Sequence, residues 1–301
     1  MKPILSIIIV SYNTAKLTID CLRSIFQDKG LKEIPFEIIV IDNNSSDDSV
    51  SQIQKLGKKI IIIQNKTNNG FGKANNQGLK IAQGNYILFL NSDTLILHSA
   101  ISQSLDWLCS HPESSTCTAQ LLNKDKTIQA SGGFFPNMAN VFTWCFSLDD
   151  LPLVNKIIKP IHPHTPTFYT HDKFYMKDHP QDWVTGAFML TRKSILDKVG
   201  GFDENYFMYG EELELSSRIK KSTPNNQVWY LIGPQIIHFG ASSAINKIDP
   251  IINEYQGILS FFKKHKSKFQ YSFVKILLRI NALTRAVIHL SPLYLQACSK
   301  I

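Results

Sequence analysis

The chain has 301 residues, 44% hydrophobic and 19% charged, so it can bury a sizeable core and is too apolar for wholesale disorder. Its five cysteines are scattered and form no CxxC pair, which argues against a disulfide framework or a zinc site. The net charge of +8 arises at one end: residues 255–301 hold eight Lys or Arg and no Asp or Glu, whereas the other 24 basic residues match the 24 acidic ones. This local basic surface does not predict a nucleic-acid partner.

The chain is predicted to work in the cytoplasm. Free cysteines suit a reducing compartment. The apolar start, Met1–Val10, is too short for a signal peptide because polar Ser11-Tyr12-Asn13 follows at once. No run of 18 uncharged apolar residues indicates a transmembrane helix.

Short apolar runs and helical patterns alternate through the first hundred residues. The runs are rich in β-branched or aromatic residues and predict buried parallel strands at Ile4–Val10, Phe36–Ile41, Lys59–Ile63 and Tyr86–Leu90. Helices are predicted between them at Thr14–Gln27, Asp47–Leu56 and Gly72–Gln83. This alternation predicts an α/β fold with a Rossmann-like, doubly wound, mostly parallel sheet.

Polar residues follow three of these strands. They are Ser11-Tyr12-Asn13, Asp42-Asn43-Asn44 and Asn91-Ser92-Asp93. Since the carboxyl ends of parallel strands share one edge, and such folds bind ligands there, we expect these segments to form one site.

The rest of the chain is less regular. Residues 134–181 contain six prolines and little periodicity, which predicts an irregular excursion over the site. The last predicted elements of the main domain are an apolar run at Trp183–Thr191, helices at Lys193–Val199 and from Glu211, and a strand pair at Val228–His238 broken at Gly233-Pro234. We predict a catalytic domain over residues 1–250 and a helical tail over residues 251–301.

Each motif has a structural interpretation beside a functional one. The segment Asp42–Asp48 is either a capped turn or a nucleotide contact. The loop Asn68–Gly78 is either a tight turn or a cradle of backbone N–H groups for phosphate. Its spacing matches neither the dinucleotide-binding nor the P-loop pattern, which weakens dehydrogenase and ATPase interpretations.

Four other residues have side chains suited to metal or proton chemistry. A carboxylate at Asp93 can hold Mg2+ or Mn2+, and His238 ends an apolar strand, where an imidazole is either structural or a ligand. Glu211 and Glu212 begin a helix, where an acid either complements the helix dipole or accepts a proton from an attacking hydroxyl. Glu214 is expected to be solvated and to pair with a basic residue four positions on.

The tail contains an amphipathic helix. Its apolar stripe recurs every three or four residues, at Phe269, Phe273, Ile276, Ile280, Leu283, Val287 and Leu290. This stripe either packs on the body of the protein or lies on an anionic membrane. We therefore expect the tail, over residues 256–301, to be the place of any peripheral contact with the inner face of the cytoplasmic membrane.

Taken in order, these segments resemble the family 2 glycosyltransferases, in particular bacterial rhamnosyltransferases of cell-surface polysaccharide assembly. The first matching segments are Val10–Asn13, Val40–Ser45, Asn68–Phe71 with Asn75–Gly78, and Leu90–Thr94. The later ones are Asp182–Leu190, Gly200–Glu204, the acidic helix Glu211–Arg218, and His238 with Gly240 and Ser242. The resemblance runs from Leu5 to about Ser243.

The resemblance implies an A-type glycosyltransferase fold and inversion at the anomeric carbon. A nucleotide-sugar donor, dTDP- or UDP-linked, would give its sugar to a lipid-linked or polysaccharide acceptor. The implied donor-binding residues are Ser11, Tyr12, Asn13, Asp42, Asn44, Asn69, Gly70, Asn75, Ser92 and Asp93. Asp93 and His238 would hold the metal at the diphosphate, and Glu212, or else Glu211, would be the general base.

The sequence departs from the family pattern at three positions. The usual Asp-x-Asp is Asn91-Ser92-Asp93, which removes one negative ligand. The usual Glu-Asp pair is Glu211-Glu212, and the acid that follows it is Glu214 instead of Asp. Glu212 is preferred as the base by motif register alone.

Two other functions compete with sugar transfer. A sugar-nucleotide nucleotidyltransferase usually has a basic, glycine-rich loop after the first strand, but this chain has Ser11-Tyr12-Asn13-Thr14 there. An inactive membrane-associated scaffold of the same fold would have no need for Asp93, Glu212 and His238 together.

Overall fold

The computed structural model describes residues 2–57, 60–167, 173–223, 226–240, 249–288, 290 and 292–301. Lys59 of the third predicted strand, residues 168–172 of the predicted excursion, and Ser242 lie outside these ranges. Among the described residues no helix is long and apolar enough to cross a membrane.

The first hundred residues form the predicted parallel sheet. Its strands are β1 (Leu5–Ser11), β2 (Phe36–Asp42), β3 (Ile61–Gln64) and β4 (Tyr86–Asn91), in the spatial order β3-β2-β1-β4. The connecting helices are α1 (Ala15–Gln27), α2 (Ser49–Lys55) and α3 (Phe71–Ile81). Both faces of this sheet are buried, because Ile7 and Ile9 pack in one apolar cluster and Ile8 in another.

The sheet continues through strands of mixed direction. These are β5 (Thr94–Ile96), β6 (Ser114–Leu122), β7 (His179–Gln181), β8 (Phe188–Arg192) and β9 (Gln227–His238). Strand β8 runs antiparallel to β4 and leads to β6 and β9, while β5 and β7 pair antiparallel with β9. The predicted Rossmann-like sheet is confirmed, with a mixed second half.

Strand β9 corrects one prediction. The expected strand pair broken at Gly233-Pro234 is wrong, because Gln227–His238 is a single strand. Its pairing with β6 passes from Ala119–Leu231 directly to Gln120–Gln235, so residues 232–234 bulge out of the ladder. A bulge accommodates proline, which has no N–H to donate, and lets the strand continue to His238.

The remaining helices surround the second half of the sheet and the excursion. They are α4 (Ala100–Ser110), α5 (Met138–Cys145), α6 (Pro152–Ile157), α7 (Lys193–Val199), α8 (Glu211–Ser222), α9 (Asp249–His265), α10 (Lys268–Ile288) and α11 (Pro292–Lys300). The predicted excursion thus includes two short helices. Val141 of α5 packs with Phe262 of α9 and Leu278 of α10 in a third apolar cluster. The tail therefore shares a core with the excursion.

Glu214 of α8 ties this tail to the main domain. The prediction that Glu214 is solvated is wrong: its side chain has no exposed surface. It accepts hydrogen bonds from Arg218 at 2.8 Å and Lys264 at 2.5 Å, and lies 3.2 Å from His265. Burial disfavours its charge, but the hydrogen bonds from Arg218 and Lys264 outweigh burial and lower the pKa of Glu214.

We expect Glu214→Gln to lower the free energy of unfolding by about 2 kcal/mol, since it leaves two partly buried cations without their carboxylate. The matched control is Asp197→Asn, whose exposed pair with Lys193 is worth less than about 1 kcal/mol. Urea denaturation measures both. Because the pKa of Glu214 is lowered in the folded protein, its charge stabilises the fold above the unfolded glutamate pKa of about 4.3, and this stabilisation is lost as pH falls through the folded pKa.

The difference in unfolding free energy between wild type and Glu214→Gln should therefore become smaller in acid. Equal losses of unfolding free energy in Glu214→Gln and Asp197→Asn would contradict the assignment.

Candidate functional site

One cleft of about 790 Å³ opens at the carboxyl ends of β1, β2 and β4. Seven of the residues predicted for the site line it: Tyr12, Gly70, Ser92, Asp93, Glu211, Glu212 and His238. The ends of β1, β2 and β4, the loop after β3, and the later α8 and β9 therefore meet around one space. This is expected for the open edge of such a fold.

Asp42 lies at the end of β2 and is almost completely buried. Its Oδ2 accepts a hydrogen bond from the Ser45 backbone N–H at 3.1 Å. Its Oδ1 has no partner among the described residues. Because buried polar atoms are nearly always satisfied, this oxygen fits a ligand N–H or O–H donor.

Asn43 braces the loop that precedes α3. Its Nδ2 donates to Asn68 Oδ1 at 2.8 Å and to the Gly70 carbonyl at 3.2 Å. Its Oδ1 accepts from the Asn69 backbone N–H at 3.0 Å. Asn43, Asn68 and Gly70 line the cleft, whereas Asn69 is held through its backbone. The sequence offered Asn43 only as part of the Asp42 turn, so its bridging role was missed.

Four other predicted donor-binding residues do not line the cleft. Ser11 is buried with its hydroxyl 2.9 Å from that of Thr18, and Asn75 is buried with its Nδ2 donating to the Phe71 carbonyl at 3.1 Å. Asn13 and Asn44 are exposed and adopt the left-handed conformation, with φ of 53° and 71°. Asn13 Oδ1 accepts from the Ser46 backbone N–H at 2.7 Å, which joins the turns after β1 and β2.

Asp93 and His238 lie together. His238 Nε2 is 3.4 Å from Asp93 Oδ1 and 3.2 Å from Asn91 Nδ2. Two ligands that each lie about 2.1 Å from one divalent ion are about 3 to 3.5 Å apart, so this pair fits a shared Mg2+ or Mn2+. Within the described residues no third His, Cys, Asp or Glu completes a metal cluster, so further ligands would come from water or phosphate.

Gln129 orients His238. The Gln129 Nε2 donates to Asn123 Oδ1 at 2.9 Å and to the His238 carbonyl at 3.2 Å, which directs its Oε1 at His238 Nδ1, 2.6 Å away. An amide oxygen only accepts, so Nδ1 carries a proton; in the neutral ring the lone pair then lies on Nε2, where the Asn91 amide N–H can donate to it. Gln129 was missed because nothing in its local sequence marks it.

Helix α8 presents two acids at its N-terminus. Glu212 is partly exposed to the cleft, and its Oε1 accepts from the Gly186 backbone N–H at 3.1 Å. Burial raises the pKa of Glu212. Glu211 is 2% exposed, its Oε2 has no partner among the described residues, and burial and the charge of Glu212 raise its pKa well above the usual range. Glu212 is therefore the acid that a substrate hydroxyl can reach.

Helix α9 closes one side of the cleft at the start of α8. Tyr209 and Gly210 both have positive φ, 70° and 95°, and Gly257 of α9 packs against them. A Cβ at Gly257 would lie 2.6 Å from the Tyr209 carbonyl oxygen, so the close approach depends on glycine. Beside this contact, His162 of the excursion and Glu254 of α9 pair at 3.3 Å and line the cleft. His162 has no metal-site spacing and was missed.

Comparison with known proteins gives a family match. The model of glycosyl transferase family 2 matches residues 6–200, nearly two thirds of the chain. An N-acetylglucosaminyl-diphospho-decaprenol L-rhamnosyltransferase of Mycobacterium tuberculosis is 23% identical over 229 residues, which cover 70% of this chain and 69% of the relative. A poly(ribitol-phosphate) beta-glucosyltransferase of Bacillus spizizenii is 37% identical over 101 residues, 32% of this chain and 16% of the relative.

Solved structures share the fold. S. aureus TarS 1-349 in complex with UDP-GlcNAc gives a TM-score of 0.55 at 17% identity, over 99% of this chain and 79% of that one. The mannosyltransferase PcManGT from Pyrobaculum calidifontis, in complex with GDP-Man and Mn2+, gives a TM-score of 0.57 at 14% identity, over 99% of this chain and 74% of that one. These similarities confirm the predicted A-type glycosyltransferase fold.

The bond from Gln129 predicts the tautomer of His238. In the unliganded protein, above the pH at which the ring is charged, nitrogen-15 NMR of histidine-labelled protein should show His238 protonated at Nδ1 alone. Gln129→Leu should give the mixture of tautomers typical of an unconstrained imidazole. A wild-type spectrum that shows His238 protonated at Nε2 would contradict the assignment. So would a His238 tautomer that is the same in Gln129→Leu as in the wild type.

Proposed function

Because the chain belongs to glycosyl transferase family 2, we propose that it is a metal-dependent, inverting enzyme that transfers a sugar from a dTDP- or UDP-linked donor. The proposed acceptor is a lipid-linked or polysaccharide intermediate of cell-surface glycan synthesis. The observation that carries this proposal is the meeting in one cleft of the Asp42 turn, the Asp93–His238 pair and the Glu212 carboxylate.

Rhamnose is the sugar we propose first. The similar M. tuberculosis protein is named as an L-rhamnosyltransferase that acts on a decaprenol-linked N-acetylglucosamine, and its similarity covers 70% of this chain. The Asn91-Ser92-Asp93 variant also resembles rhamnosyltransferases. A cytoplasmic enzyme at the inner face of the membrane would meet both a soluble nucleotide-sugar and a lipid-linked acceptor.

The nucleoside part of the donor is proposed to lie on the β1–β2 side of the cleft. Asp42 Oδ1, which is buried without a partner among the described residues, would accept a hydrogen bond from the base or the ribose. The 68–70 loop, fixed by Asn43, would close beside it, and Tyr12 would contribute from the end of β1. A preformed pocket lowers the entropy lost when the donor binds.

Asp93 and His238 are proposed to hold the divalent cation at the donor diphosphate. A bound cation neutralises the charge that develops on the leaving diphosphate. The tautomer set by Gln129 gives His238 an unprotonated Nε2 for this purpose. Ser92 and Asn91 line the same part of the cleft, and Asn91 donates toward His238 instead of adding a second charge.

Glu212 is proposed to be the general base. As the acceptor oxygen forms its bond to the anomeric carbon, its proton passes to the Glu212 carboxylate and the bond from that carbon to the diphosphate oxygen breaks. A single displacement of this kind inverts the configuration. The hydrogen bond from Gly186 holds the carboxylate in place, and the pKa raised by burial makes it a stronger base than an exposed glutamate.

We expect Glu212→Gln to reduce kcat by roughly 10² to 10⁴-fold with donor affinity unchanged, because the amide keeps the bond to Gly186 and cannot take the proton. Glu211→Gln, the adjacent control, should cost less than about tenfold. In the wild type the acidic limb of kcat/KM should lie above the usual glutamate pKa of about 4.3, since only the deprotonated base is active. Full activity of Glu212→Gln would overturn the assigned base.

We expect Mn2+ to bind the protein without donor and to raise its affinity for a dTDP- or UDP-sugar, as measured by electron paramagnetic resonance and thermal shift. Asp93→Asn removes the charged ligand and should abolish Mn2+ binding. Gln129→Leu should weaken it by about 10- to 100-fold through the loss of His238 orientation. Unaltered Mn2+ affinity in Asp93→Asn would place the metal elsewhere.

A further inference from the structure

Helix α10 has two apolar faces, of which one is used for packing. Val274, Leu277, Leu278 and Ala282 are buried in the third apolar cluster, and α10 packs against α5, α9 and α11. These contacts hold the helix on the protein through residues other than the exposed apolar stripe that begins at Phe269. The stripe is therefore available for a contact outside the chain.

The stripe faces outward along the whole helix. Six of its residues, from Phe269 to Val287, lie on α10 and range from 38% exposed at Phe273 to 74% at Val287. Their spacing of three or four residues places these six in one line down the helix. Leu290, which is 89% exposed, follows the end of the helix at Ile288. Isolated exposed apolar residues are ordinary, but a continuous row of them marks a binding surface.

Helices α5 and α6 extend this surface. Phe142 and Phe146 of α5, Leu153 and Ile157 of α6, and the neighbouring Leu151 are all exposed. Helix α5 packs directly on α10, and the short turn at residues 148–150 joins it to α6. Of the 20 large apolar residues found exposed in the described ranges, 14 belong to residues 142–157 and 269–295. We call the exposed residues of α5, α6 and α10 the apolar surface.

Basic residues border the apolar surface. Lys268, Lys275 and Arg279 are spaced by seven and four residues, so they form one flank of the stripe. Lys156 of α6 adds charge on the excursion side. Residues 255–301 contain no acidic residue. Long basic side chains at the edge of an apolar stripe can extend their charges to phosphate groups while the stripe is buried.

We propose that the apolar surface docks on an anionic phospholipid bilayer and lies in its headgroup region. Since no described helix can cross a membrane, the contact is peripheral. A second copy of the chain fits less well, because residues 255–301 have no acidic residue that could pair with the basic flank of another copy. Anionic headgroups complement the flank.

This inference deepens the proposed function by naming where the lipid-linked acceptor is met. Helix α9 lines the cleft at Glu254 and Gly257 and packs against α10. The apolar surface is therefore one helix away from the acceptor side of the cleft. An enzyme held by this surface would keep the cleft close to acceptors anchored in the same bilayer.

The test is sedimentation of the full chain with vesicles of phosphatidylglycerol and phosphatidylcholine, and with phosphatidylcholine alone. We expect binding to the anionic vesicles only, weakened by 0.5 M salt to about one tenth or less. Ile276→Gln with Leu283→Gln should reduce partitioning at least about tenfold. Lys275→Glu with Arg279→Glu should reduce it more than about twentyfold.

Matched controls make the same changes elsewhere. Ile61→Gln with Ile81→Gln alters two exposed apolar residues of β3 and α3, and Lys55→Glu with Lys80→Glu alters two exposed lysines of α2 and α3. Both controls should bind as the wild type does. Equal partitioning of all five proteins, or wild-type dimers by light scattering that Ile276→Gln with Leu283→Gln dissociates, would overturn the proposal. Nucleotide thermal shifts of the same variants should stay unchanged, so loss of membrane binding and failure of the proposed transfer are distinguishable.

Discussion

The placement of three acids in the first turn of α8, two buried and Glu212 partly exposed, is the constraint on which the rest of the site depends. Glu214 pairs with Arg218 and Lys264, with the His265 ring 3.2 Å away, and this pairing fixes the end of α9 against the main domain. Glu212 accepts a hydrogen bond from the Gly186 backbone N–H and is open on one side toward the cleft. The helix dipole favours negative charge at this position, and burial opposes it. The result is a carboxylate of raised pKa, placed where the excursion, α9 and the sheet edge meet.

The pairing of β5 with β9 provides the second constraint. Thr94 pairs with His238, and the Phe239 backbone N–H donates to the Asp93 carbonyl at 3.0 Å, so Asp93 and His238, which are 145 positions apart, become neighbours. The bulge at 232–234 maintains this register, because β9 would otherwise be displaced along β6. The proposed metal site, of one carboxylate and one imidazole, thus depends on strand register, and Gln129 fixes the orientation of the ring.

The sequence predicted the fold and the sheet edge at which the cleft opens, because local periodicity and strand-end residues carry that information. It did not predict that Glu214 is buried, since its partner Lys264 comes from 50 residues away. The bracing by Asn43 and the orienting bond from Gln129 also depend on long-range contacts of neutral amides, which leave no pattern in the sequence. For α10, the periodicity of apolar residues predicted the stripe that faces outward and missed the second, buried face. Aliphatic residues occur on both faces, so the sequence pattern does not show which face is buried.

In the proposed mechanism Glu212 activates the acceptor for a single displacement at the anomeric carbon. The proton NMR spectrum of the product, recorded after transfer from a nucleotide-sugar of known configuration, distinguishes one displacement from two. We expect an anomeric configuration opposite to that of the donor. A product with the donor's own configuration would require two displacements or front-side attack, and would contradict the role given to Glu212.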